Sequence, residues 1–388
     1  MTRQLWLTIL VAVCAWPVAA GAQAQKQAEP ASTYELYGFA EADVIQDFKR
    51  VRPDWNATLR PSRIPTADGQ YGSDGETVFS VRQSRFGVKA SVPVGGHALK
   101  ARLEFDFFGS SMDDNGRPDA GGQNGVRLRH AYGEWGPWLV GQTHSLFMDA
   151  DLWPNIIDYW GPAGMVFYRN IQVRYTPITG THTFAVALER PITDLDPGTV
   201  GANPAYANVT GVSKLPDLTA QYRLARDWGY LQLSGMLRWL GYDTPGSAGG
   251  NPKGHAVGGG LAASSSLKTS KMTTLRLSVV GGNGISFYMN DGGTDLAFGG
   301  TTADPAAQAV PLLGLMAYLD LTWSDVWTSS VGYSSTQVWN TTLQADNAFK
   351  HGQYASVNLL AVPLKDLLVG PEILWGMRTD KNRASGND

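Results

Sequence analysis

From Leu36 onward, apolar side chains recur at every second position over segments of about ten residues, with polar or charged residues between them. In LKARLEFDFF, Leu99, Ala101, Leu103, Phe105 and Phe107 fall on one face, and Lys100, Arg102, Glu104 and Asp106 on the other. RFGVKASVPV sets Phe86, Val88, Ala90 and Val92 against Arg85, Lys89 and Ser91. LQLSGMLRWL and AYLDLTW repeat the pattern. A period of two belongs to a strand, and faces this different mean a sheet with a different solvent on each side. A soluble sandwich also alternates, but about ten residues is the length a tilted strand needs to cross a bilayer. Short turns (Pro93–His97, Gly136–Pro137, Pro177–Gly180, Arg226–Trp228, Thr269–Lys271, Ser324–Asp325 and Pro363–Lys365) alternate with long polar loops. Trp135, Trp138, Tyr175, Trp228, Tyr230, Trp323 and Trp327 cluster beside those turns, as an aromatic girdle does at a membrane interface. Charged residues make up 17% of the chain, against about 25% in soluble proteins. The pattern predicts an all-β, transmembrane antiparallel β-barrel.

The N-terminus agrees with that destination. Residues 1–24 read as a secretory signal peptide: Arg3 is the basic n-region, LWLTILVAVCAWPVAA the apolar stretch and Ala22-Gln23-Ala24 the cleavage site. Residues 25–35 form a short linker and residues 36–388 the barrel domain. Cys14 is the only cysteine and leaves with the signal, which removes thiol chemistry, disulfides and cysteine metal sites. No metal or cofactor is expected. The net charge of −3 lacks the basic footprint that a nucleic-acid partner needs.

Reading strands around the short turns gives about fifteen, whereas a bacterial single-chain barrel has an even number, here about sixteen. The closing stretch WGMRTDKNRASGND reads as a strand leaving for an outer loop. A final strand ending in Phe or Trp is missing, so the expectation is a C-terminally truncated domain.

The stretches QSRFGVKAS, LRHAYGEWGPWLVGQTHSLF and FYRNIQVRYT resemble, in order and spacing, segments of bacterial outer-membrane porins, closest to the DcaP-like family. The resemblance runs from about Leu36 to Thr379. It implies a sixteen-stranded trimeric barrel in the outer membrane, in contact with lipid and lipopolysaccharide, that passes small anionic solutes such as dicarboxylates. It also implies that the loop after the fifth strand folds inward as a constriction. That loop contains SLFMDADLWPNIIDYWGPAG, with Asp149, Asp151, Asp158 and Tyr159 as candidate constriction residues. A loop inside a wet lumen needs carboxylates toward the channel, here Asp149, Asp151 and Asp158. It also needs apolar groups toward the wall, here Leu146, Phe147, Leu152, Trp153, Ile156 and Ile157. Opposite it, family motifs point to Arg85, Arg129 and Arg169 as the anion-binding wall. Alternation independently places Arg85, Arg102, Arg127 and Arg129 on the polar face. It puts Arg174 inward and Arg169 outward, unless a bulge changes the register. A competing reading has these arginines merely paired with Glu104 and Asp106. The family often carries a longer N-terminal extension, and QKQAEPASTYE is too short for one.

Two other classes compete with this reading: an outer-membrane lipid hydrolase and a secreted β-sandwich binding protein. Thr143-His144-Ser145 invites the first, but neighbours on a strand point to opposite faces and cannot form a nucleophile–base pair. DDNGRPDAGGQNG, from Asp113, has calcium-loop composition without the spacing. GGNG and NDGGTD, near Gly281–Asp295, read as flexible loop.

Overall fold

The computed structural model describes residues 31–109, 125–248 and 250–388. The signal peptide, the start of the linker and the Asp-rich stretch from Asp113 lie outside them. One antiparallel sheet dominates. Thr33–Phe39 pairs with Arg85–Val94, and the ladder continues through His97–Gly109, Gly125–Trp135, Trp138–His144, Arg169–Ile178 and His182–Glu189. It then runs through Asp217–Arg226, Gly229–Asp243, Gly254–Lys268 and Thr273–Asn283. Pro311–Thr322, Trp327–Val338, Phe349–Asn358 and Glu372–Asp380 complete it.

The sheet has 19 strand segments, not sixteen. Four of them are short: Thr210–Val212, Leu360–Leu364, Leu367–Val369 and Ser385–Asn387. Breaks of one or two residues, after Asn358 and after Val369, split what the alternation read as single strands. Ser385–Asn387 pairs back on Met377–Thr379, where a departing loop was expected. The second long strand begins at Arg85 rather than Val78, because Glu76–Ser80 leaves the main sheet and pairs with Asp43–Asp47. The sixth begins at Arg169 rather than Met165.

The two faces are inverted relative to a soluble protein. Leu36, Phe86, Leu233 and Trp323 are 74, 53, 47 and 54% exposed, whereas Glu104, Asp106, Arg129, Asp217 and Arg238 are all at most 4% exposed. In water, each large apolar side chain left outside forgoes about 1.5–3 kcal/mol of burial. A continuous band of them is tolerable only against lipid. Trp135, Trp138, Tyr175, Trp228, Trp323 and Trp327 are exposed beside the short turns, as an interface girdle requires. Tyr230 departs from that expectation. It is buried, and its hydroxyl donates to Asp149 at 2.8 Å.

The apolar core lies between the inner face of the sheet and segments folded onto it. Phe147, Met148 and Val166 of the loop at 145–168 pack with Ile285, Tyr288 and Met289 of the loop at 284–310 over Met236, Val280, Leu312 and Val338. Val51, Leu59 and Ile64, from the loop after the first strand, pack with Leu152, Ala163 and Met165 over Met316, Tyr318 and Tyr354. Three segments therefore cover the inner face. GGNG and NDGGTD are not free loop: Gly281–Asn283 end the strand Thr273–Asn283, Asp291 and Asp295 are fully buried, and Leu296–Gly300 belongs to a separate small sheet.

Candidate pore-lining site

The loop at 145–168 runs around the inner face like a belt, tied to one strand after another. Asp149 accepts from Tyr230 and from Ser264 Oγ at 2.6 Å. Asp151 pairs with Arg223 at 2.7 Å, and its carbonyl accepts from Arg276 at 2.7 Å. Asn155 meets Asp320, Thr328 and Asn358. The Ile157 and Asp158 amides both donate to Glu372, at 3.0 and 2.7 Å. The Tyr159 hydroxyl reaches Asp106 at 3.1 Å. Two glycines permit the tight course. Gly161 has φ +64°, and a Cβ there would lie 2.8 Å from the Trp153 ring. At Gly164 a Cβ would lie 2.3 Å from the carbonyls of Leu315 and Ser335, so the belt touches the wall backbone.

Of the apolar residues of the loop, Leu146, Phe147 and Leu152 are buried, and Trp153, Ile156 and Ile157 are half-buried. Its carboxylates divide differently. Only Asp151 is exposed. Asp149 and Asp158 are buried, so the expectation that both face the channel does not hold. Asp158 accepts from Thr58 Oγ1, the Leu59 and Gly161 amides and the Tyr354 hydroxyl. Burial raises the pKa of both carboxyls above the ordinary aspartate value, against these hydrogen bonds. Asp158 is thus a structural knot that fastens the belt to the first loop.

The structure gathers Arg102, Arg127 and Arg129 around Glu104 and Asp106. Arg129 donates to Glu104 at 2.6 Å, to Asp106 at 2.8 Å and to the Tyr159 hydroxyl at 2.9 Å. Arg127 holds Asp106 bidentately, at 3.0 and 2.7 Å, and also meets Tyr159. Arg102 donates to Glu104 at 2.6 Å and to the Tyr37 hydroxyl at 2.7 Å. Tyr159 stacks on Phe108 with ring centroids 4.0 Å apart, which brings the belt against this wall. These three guanidiniums are therefore occupied, as the pairing reading held.

Arg85 and Arg169 are not. Both lie in the field of Glu104 and Asp106. Neither makes a hydrogen bond or ion pair among the described residues, and Arg85 Nε and Arg169 Nη1 are buried without partners. They rest only on ring faces: Arg85 on Phe39 at 5.2 Å and Arg169 on Phe167 at 5.1 Å. Arg169 thus belongs to the wall cluster despite its outward parity. It is the first residue of its strand, where the chain is still leaving the belt. Arg174 points inward as expected. It donates to Gln172 at 2.9 Å and to the His144 carbonyl at 2.6 Å, not to the central carboxylates.

The first loop contributes residues that the sequence reading passed over. Arg60 lies between Trp55 and Trp160, 4.3 and 4.2 Å from the ring centres, and donates to Asp291 at 3.0 Å. One side chain so links all three inward segments. The signal was there in RVRPDWNATLRPSR, whose tryptophan and two prolines match the Trp and Pro content of the belt more than an outer loop. The Thr-His-Ser stretch is not a catalytic pair: Ser145 Oγ donates to Glu189 at 2.8 Å, and Thr143 Oγ1 meets His130 Nδ1 at 3.0 Å. No cluster of potential metal ligands occurs among the described residues.

An apolar outer band, a polar inner face and inward-folded loops define an outer-membrane protein of porin type. The chain belongs to the DcaP outer membrane protein family, whose model matches residues 25–386. The crystal structure of the outer membrane channel DcaP of Acinetobacter baumannii is similar, with TM-score 0.76 at 20% identity over 92% of this chain and 94% of that one. OmpT, an outer membrane protein of Vibrio cholerae, follows at TM-score 0.53 and 11% identity, with 94% of each chain covered. No curated protein matches the chain.

Proposed function

We propose that this protein is a passive diffusion channel that prefers small anions, dicarboxylates among them. In this reading the long sheet closes into a barrel of about sixteen strands. Three such barrels associate in the outer membrane, in contact with its lipid and lipopolysaccharide. Selection is by width and fixed charge, with no covalent step. The carrying observation is the imbalance on the wall. Arg85, Arg102, Arg127, Arg129 and Arg169 face two carboxylates, and two of the guanidiniums have no partner. A guanidinium stays charged at any working pH and grips a carboxylate through two parallel N–H groups. Liposomes containing the protein should take up succinate faster than a neutral sugar of similar size. Equal rates would remove the anion preference, and no uptake of either would remove the channel.

A pH effect follows from Glu41, which leads the chain out of the first strand. Burial, Asp43 and Glu372 push its carboxyl up to about 7, and only Arg85 opposes them. Below that value Glu41 is neutral and leaves the charge of Arg85 uncompensated. Above it the carboxylate offsets Arg85. Anion preference should therefore fall as pH rises through about 7, and Glu41→Gln should flatten that profile while keeping the low-pH preference. Zero-current potentials at pH 5.5 and 8.5 read the difference.

A further inference from the structure

Another cation without a counter-charge lies on the first loop, and the wall cluster does not involve it. Arg63 ends the short turn Pro61–Arg63, which is clamped from several sides. The Ser62 amide and hydroxyl donate to Asp291, at 2.6 and 2.5 Å. Arg378 donates to the Ser62 carbonyl at 2.8 Å, and the Arg52 amide donates to the Arg63 carbonyl at 3.0 Å. Pro61 is buried at Gly352, and Ile64 at Gly376. The backbone under Arg63 is thus fixed.

Its side chain has no such fastening. The charges around it are Arg52, Arg60, Asp54 and Asp291. Both carboxylates are already engaged. Asp54 is held bidentately by Arg52, at 2.6 and 2.5 Å, and Asp291 is held by Arg60 and Ser62. Arg63 is half-buried, and its Nε has no partner among the described residues. Burial and the neighbouring Arg60 pull its pKa below the ordinary arginine value, as for a cation short of a counter-ion.

The position along the wall is equally informative. The belt is fastened to the strand Glu372–Asp380 at Glu372, and the turn bearing Arg63 at Arg378. Six residues of strand are about 20 Å, toward the end where the long loops lie.

We propose that Arg63 is an outer anion station, which holds a small carboxylate before it passes to Arg85 and Arg169. The proposal rests on the anion-channel reading. A solute arriving from the long-loop side meets this guanidinium, carried on a fixed backbone, first. Its grip must stay weak, because a tight site would stop flow.

The test is single-channel recording of the full chain at low salt, with the insertion side fixed by adding protein to one chamber and succinate added to either. In Arg63→Gln, current interruptions by succinate from the long-loop side should become about fivefold rarer, while those from the short-turn side stay unchanged. The zero-current potential should move less than in Arg85→Gln. Arg63→Lys should restore the frequency but shorten each event, because an ammonium attracts a carboxylate without gripping it. An equal fall from both sides, or no fall, overturns the station. If Arg63→Gln fails to assemble, event length in Arg63→Lys decides, and unchanged length overturns it. A wild-type channel without anion preference would refute the channel reading itself, whatever Arg63 does.

Discussion

With Arg85 and Arg169 both changed to Gln, the preference for chloride over potassium at low salt should fall by about 25-fold. The two changes remove positive charges that no carboxylate pairs with directly among the described residues, and they leave the ion pairs of Arg102, Arg127 and Arg129 intact. Assembly should therefore survive. A unit charge about 8 Å from a passing ion, at an effective dielectric constant of about 40, is worth about 1 kcal/mol, or roughly fivefold per charge. The effect should nearly vanish at 1 M salt, where the Debye length is about 3 Å. Neutral sugars should pass as before or faster. Arg129→Gln is the informative contrast. Arg129 sits between Glu104 and Asp106, and its loss exposes both charges to each other. That variant should lose stability as well as selectivity. An unchanged zero-current potential in the Arg85, Arg169 double variant would make the wall purely structural.

The largest stability effect should come from Arg238→Leu. The Arg238 guanidinium is fully buried. It pairs with Asp217 at 3.0 Å and Asp295 at 2.8 Å, and donates to the carbonyls of Gly284 and Ile192, both at 2.5 Å. Asp217 also accepts from the Tyr288 hydroxyl at 2.9 Å, so the network fastens the loop at 284–310 to the wall. Removing one partner of a buried ion pair leaves an uncompensated charge, at a cost of about 3–5 kcal/mol. The temperature at which the folded band disappears from a detergent gel should drop clearly. Adding Asp217→Asn and Asp295→Asn should recover part of the loss, because the stranded charges go with them. A single variant as heat-resistant as wild type would place the anchor of that loop elsewhere.

Much of this was readable in advance because a bilayer on one side and water on the other impose a period of two. The parity of Arg85, Arg102 and Arg127 carried directly into the structure. Parity failed where the lattice is irregular. A register shift between Glu104 and Phe105 lets the consecutive residues Arg129 and His130 both turn inward. Arg169 lies at a strand end, where the belt sets direction. The burial of Asp158 was not readable, because its partners Thr58 and Tyr354 stand 100 and 196 residues away. For the same reason the inward course of the first loop was not readable. Its composition was unusual, but its destination depends on Asp291, which is 231 residues from Arg60.

The belt also dictates an order of construction. Its knots reach from residue 157 to Glu372, a separation of 215 residues, and from Asn155 to Asn358, a separation of 203. Closing such loops before their ends are held costs entropy that no single hydrogen bond returns. The strands that receive these bonds lie more than 200 residues further along the chain. The N-terminal half can therefore form hairpins along the bilayer, but the eyelet has nothing to hang from until the C-terminal hairpins are in place. A folding intermediate stalled at mid-chain would already be membrane-bound yet have no filter. On this account, selectivity should appear in time-resolved refolding only after strand content has reached its plateau.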